Sequence, residues 1–122
     1  MESILEKPEL IDFLVKLIPE AHQDFESLPA EVSDCAIAHK LAEVTTLLLD
    51  QNRFRAVKHC LLAADELLLH GSEAIKTFIN SVYIHRLTVL IDRADNRAEM
   101  LEYLLPHQLR IEYLRQLNTC LP

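Results

Sequence analysis

The chain has a single glycine, Gly71, among its 122 residues. Phosphate-cradling loops, nucleophile elbows and dinucleotide fingerprints each need glycine at two or more fixed positions, where backbone approaches a ligand or takes positive φ. One glycine builds none of them. Tryptophan is absent, and three tyrosines and four phenylalanines are the only aromatics, so leucine, isoleucine, valine and alanine must fill the core. No uninterrupted apolar run approaches the ~20 residues that span a bilayer. The opening Met1-Glu2-Ser3-Ile4-Leu5-Glu6 lacks the basic start and long apolar run of a secretory leader. The three cysteines, Cys35, Cys60 and Cys120, are odd in number and include no Cys-x-x-Cys pair. That argues against a disulfide framework or zinc cage and for a reduced, cytoplasmic protein. Cys35 and Cys60 fall in apolar helical segments as small core residues, and Cys120 reads as an exposed thiol.

Positive charge is scarce in the first half. Residues 1–50 carry three basic against eleven acidic side chains, residues 51–122 nine against eight, for a net charge of −7. Nonspecific nucleic-acid binding needs a dense basic face and is disfavoured. The short cluster Arg53, Arg55 and Lys58 is too small for a duplex. An acidic half attracts a basic partner and raises its on-rate. It also serves simply to keep a leucine-rich bundle in solution.

What the chain does have is helical punctuation. A length of 122 residues predicts one domain, residues 1–122, with an ordinary share of apolar and charged side chains. Pro8 suits a first turn, and Leu10, Ile11, Leu14, Leu17 and Ile18 recur at helical spacing until Pro19. A short helix follows over Glu20 to Leu28. The next spans about Glu31 to Asp50, capped by Ser33 or Asp34, with Ala38, Leu41, Ala42, Thr45, Leu48 and Leu49 in one stripe. Asn52 takes the left-handed conformation or caps a fourth helix, Arg53 to His70. Gly71 is expected as the left-handed stop of that helix, where alanine costs about 1 kcal/mol, and Ser72 as the next N-cap. A fifth helix, Glu73 to about Arg93, is apolar almost all round and therefore central. Asn96 and Glu99 read as a capping pair. The last helix, Arg97 to Leu117, breaks at Pro106. Short connections force antiparallel neighbours. The expected fold is all-α: an up-and-down helical bundle, or a short stack of antiparallel hairpins, of five to six helices.

Side chains with metal chemistry occur at helical spacing. Cys35, His39 and Glu43 share one stripe at four-residue steps and would be the first choice for a metal. Neither Glu-x-x-His nor His-Glu-x-x-His is present, and such four-spaced polar pairs commonly form local helix-flank contacts. No metal and no cofactor are expected. Glu6 with Glu9, and Glu31 with Asp34, are similar to the paired carboxylates of all-helical nucleotide pyrophosphohydrolases, which converge on magnesium. Pro8 interrupts the first pair, and carboxylates in a first turn also complement the helix dipole. Arg86 falls in the stripe of Ile75, Ile79, Val82, Val89 and Leu90, so it needs a partner or a route to solvent. Asp65 and Glu66 on the preceding helix are the expected partners, and the functional alternative is an arginine presented to a partner's carboxylate.

Phe13-Leu14 with Leu17-Ile18-Pro19-Glu20, and His70-Gly71-Ser72-Glu73-Ala74-Ile75-Lys76, resemble segments of small uncharacterised bacterial all-helical domains. These domains look akin to immunity-type proteins that neutralise toxins. The resemblance covers roughly Phe13 to Leu87 and brings no catalytic residues. It implies a non-enzymatic interaction module whose acidic surface, with Glu20, Asp24, Glu26, Glu31 and Asp34 as contacts, meets another, basic protein. Neither nucleic acid nor membrane is an expected partner, and pairing of exposed apolar helix faces would give a homo-oligomer. A metal-dependent pyrophosphohydrolase is the alternative.

Overall fold

The computed structural model describes residues 7–29, 31–93 and 97–120. Every element among them is helical: α1 Lys7–Leu17, a 3-10 turn Pro19–Ala21, α2 His22–Glu26, α3 Asp34–Asp50 and α4 Phe54–His70. α5 Glu73–Phe78 continues through a π turn, Ile79–Tyr83, into α6 Ile84–Arg93. α7 Ala98–Leu104 and α8 His107–Cys120 follow, divided at Pro106 as expected. With α5 to α6 taken as one helix this makes seven, one more than the upper expectation, because Pro106 divides the last expected helix into two. Glu6 and the Asn96 member of the proposed capping pair lie outside the described residues, as does the Cys120 side chain.

α3, α4, the α5–α6 helix and α8 pack together, and the α1–α2 hairpin lies against α4 and α3. One contiguous apolar cluster runs from Leu10 to Tyr113 and contains the whole expected α3 stripe. Cys60 is fully buried in it, whereas Cys35 is only half-buried, which corrects its assignment to the core. Among the described residues no helix is long and apolar enough to cross a membrane.

Local sequence explains the helix ends. Ser33 Oγ accepts from Ala36 N at 3.1 Å and Ser72 Oγ from Ile75 N at 3.3 Å, so both serines are N-caps. Asn52 has φ 58°, and α3 closes through Asn52 N to Leu49 O and Arg53 N to Leu48 O, both 2.9 Å. This is a Schellman motif built on asparagine. The Arg97 guanidinium donates to Leu49 O at 3.0 Å and Asn52 Oδ1 at 3.1 Å, adding a cation to the same C-terminus.

Gly71 departs from expectation. Its φ is −77° and ψ 170°, extended backbone open to any residue. Glycine is needed there for space: a Cβ would sit 2.5 Å from Leu67 O and against the Ile75 Cγ2 methyl.

The fifth helix carries the larger correction. Uniform α geometry would put Arg86 and Val89 in the buried stripe with Ile75 and Ile79. The wider π turn advances the register by about one residue. Tyr83, Ile84, Leu87, Leu90 and Ile91 are buried instead, Arg86 is exposed and Val89 is 44% exposed. Arg86 therefore does not meet Asp65 or Glu66. Asp65 Oδ1 accepts from Leu109 N at 2.9 Å, capping α8 from a neighbouring helix, and Glu66 lies 3.9 Å from His70. The turn's loosened carbonyl at Asn80 accepts from Gln116 Nε2 at 2.5 Å.

Candidate protein-binding face

Four of the five acidic residues singled out in the sequence flank the start of α3. Asp24 and Glu26 lie on α2, Glu31 in the connection, and Asp34 opens α3. Asp24, Glu26 and Glu31 are exposed and Asp34 is half-buried. None of the four makes an ion pair among the described residues. The chain is acidic here because α2 and the α3 N-terminus each favour carboxylates in their first turn, and the polar faces of both point outward.

Glu20 is set apart from them. It sits in the 3-10 turn and reaches α4, where His59 Nδ1 donates to the carboxylate, 3.1 Å from each oxygen. Burial pushes the carboxyl up, but the bond from His59, the Glu20 backbone N–H and the charges of His59 and Arg53 outweigh it. The net result holds it below the ordinary 4.5. A carboxyl so held binds its proton more weakly folded than unfolded. Its contribution to stability is complete above pH 4.5 and falls away as pH drops through the lower folded value. Glu20→Gln is therefore expected to lower stability by about 1 kcal/mol at neutral pH, with the difference closing on acidification below that range. Urea midpoints of both proteins between neutral and acid pH check this; a difference independent of pH would contradict it. Glu20 thus acts as a tie between the α1–α2 hairpin and α4.

Beside the acidic shoulder runs an open groove of about 750 Å³ along the outer face of α3. Ala36, Lys40, Glu43, Leu47 and Asp50 supply its length, and Leu28 and Arg86 join them in its lining. The stretch from Ala36 to Asp50 is roughly 21 Å long at ~1.5 Å per residue. Leu47 is 52% exposed in it, a large apolar side chain left in water. Lys40 Nζ donates to Glu43 Oε1 at 2.8 Å, which holds the Glu43 carboxyl low and the Lys40 ammonium high. Asp24 adds its charge to Lys40, and Arg86 adds its charge to Glu43 from beyond bonding distance. Arg86 itself has no hydrogen bond or ion pair among the described residues.

His39 and Glu43 of the metal candidate line this groove, and Cys35 does not. Among the described residues no three His, Cys, Asp or Glu side chains are placed to hold a metal ion. Glu31 and Asp34 accordingly do not converge with Glu9 on one. The arrangement offers apolar contact and charge pairing. The groove went unread in the sequence, although Ala36, Lys40, Glu43, Leu47 and Asp50 form a second stripe at three- and four-residue spacing. A uniform α period turns Arg86 away from this stripe, and only the π turn brings it to the groove.

No curated protein and no solved structure matches the chain. A family model described as a domain of unknown function, DUF7674, matches residues 9–119. With nearly its whole length covered, the chain belongs to the DUF7674 family.

Proposed function

We propose that this chain is a non-enzymatic protein-binding module of immunity or regulatory type, acting in the cytoplasm. Its acidic shoulder, Asp24, Glu26, Glu31 and Asp34, meets a basic protein partner. The observation that carries the reading is a set of carboxylates without ion pairs among the described residues, beside a groove exposing Leu47. An apolar centre with a charged rim is the usual anatomy of a transient interface, and unneutralised charge speeds encounter. Neither nucleic acid nor membrane fits a face of this sign. The test is capture from the native host at low salt, with the wild type compared to the Asp24→Lys, Glu26→Lys, Glu31→Lys variant and captured proteins identified by mass. A basic protein held by the wild type and lost by the variant is expected. Identical sets from the two baits, or no protein from either, would reject the reading.

A further inference from the structure

We infer that the α3 groove receives one amphipathic helix of the partner, basic at both ends and carrying a carboxylate in its middle turn for Arg86. The inference rests on the binding reading above and names what occupies the face.

Dimensions come first. The lined stretch of α3 is roughly 21 Å long, which matches about four turns of helix. Leu28 and Leu47 stand in this groove as apolar contacts, the arrangement used when an amphipathic helix lays its apolar stripe between two helices. Addition of a partner strand would instead need an open sheet edge, and the described elements are helical.

Charge then fixes the order along the occupant. Asp34 opens α3 two residues before Ala36 and so marks one end of the groove, and Asp24 on α2 is near enough for its charge to act on Lys40. Asp50 stands at the other, 3.6 Å from Arg93 in a pair more than half exposed on both sides, so it remains open to a competing cation. Between them Lys40 is satisfied by Glu43 and Arg86 is left as the surplus cation. The groove thus reads negative, positive, negative. A complementary helix reads basic, acidic, basic, with leucine-like side chains between. A carboxylate from the partner gives Arg86 the planar, two-point acceptor that its guanidinium suits. A second copy of this chain fits less well, because its own acidic shoulder would face the groove's acidic ends.

Synthetic 18-residue peptides of defined sequence test the inference by fluorescence anisotropy. One carries a leucine seam, lysines at both ends and glutamate in the middle turn; a second has every charge inverted; a third scrambles the first. Binding by the first peptide, at least tenfold tighter than by the other two, is expected. Leu47→Asp and Arg86→Glu, both at exposed positions and checked for unchanged circular dichroism, should each lose at least tenfold. For Arg86→Glu, a peptide with lysine in place of its middle glutamate should restore binding. Equal binding of seam and scrambled peptides, sensitive to the Asp24, Glu26 and Glu31 reversal but not to Leu47→Asp, would overturn the groove and leave the acidic-face reading standing. Binding by no basic peptide, or self-association abolished by Leu47→Asp, would overturn both.

Discussion

Tyr83→Ala is expected to remove about 3–5 kcal/mol of stability, the usual cost of deleting a large buried ring. For a domain of this size that is a large share of the total. Tyr83 is 1% exposed and lies at the end of the π turn, facing α3. Its phenol donates to Thr45 Oγ1 at 2.9 Å, and Thr45 in turn donates to Leu41 O at 2.8 Å. The hydroxyl chain satisfies two polar groups inside an apolar cluster, where an orphan would be costly. Tyr83→Phe keeps the ring and Thr45's own bond to Leu41, so its cost should be only about 1 kcal/mol. The two variants also differ from wild type in alkali. Burial raises the Tyr83 phenol well above its ordinary value and pushes the neighbouring Cys60 thiol up to about 12. Groups that hold protons more tightly folded than unfolded lend stability that is complete below their ordinary values and lost as pH rises from there through the raised folded values. Wild type should therefore weaken above about pH 9 to 10, the ordinary thiol and phenol range, and Tyr83→Phe less steeply. Urea denaturation of the three proteins at neutral and alkaline pH measures both effects. An alanine variant within 1 kcal/mol of wild type would show that Tyr83 is not part of a packed core.

Gly71→Ala should cost about 1–3 kcal/mol, the range for forcing atoms into filled space. The expectation from sequence was a smaller penalty for left-handed backbone. The cause is now different and so is the control. The obstructing atom 2.5 Å away is Leu67 O, a backbone carbonyl that already accepts from Gly71 N at 3.0 Å. It cannot swing aside like the end of a side chain. The Ile75 methyl can be trimmed, so Gly71→Ala combined with Ile75→Ala would relieve one clash and leave the carbonyl. If strain from the carbonyl dominates, the Ile75→Ala background should not rescue the alanine; denaturant midpoints of the four proteins give the coupling. A Gly71→Ala variant as stable as wild type would refute the close approach.

The helices were legible because their ends are chemical. Ser33, Ser72, Asn52, Pro19 and Pro106 each act through a side-chain oxygen, a tolerance of positive φ or a missing N–H, and these are properties of single residues. The α3 and α4 stripes were legible because both helices keep one period from end to end. The fifth helix was not, since no residue type specifies a π turn and a uniform period misplaces everything beyond it. Gly71 was misjudged for a related reason: glycine marks both positive φ and tight approach, and only the position of Leu67 O separates them. Of the binding face, the carboxylates could be read directly, as composition. The detachment of Glu20 could not, because His59 lies 39 residues away and meets it only through packing.

The π turn between Ile79 and Tyr83 makes backbone geometry, as well as residue identity, a determinant of which surface the molecule shows. The same residues wound as uninterrupted α-helix would turn every side chain beyond it by about 100°, carrying Arg86 into the buried stripe and Leu87 out of it. A one-residue deletion in the turn has the opposite character: the shortened helix runs in plain α geometry and its downstream side chains keep their present faces. The turn is thus where the fold absorbs one residue of length without surrendering the exposed position of Arg86.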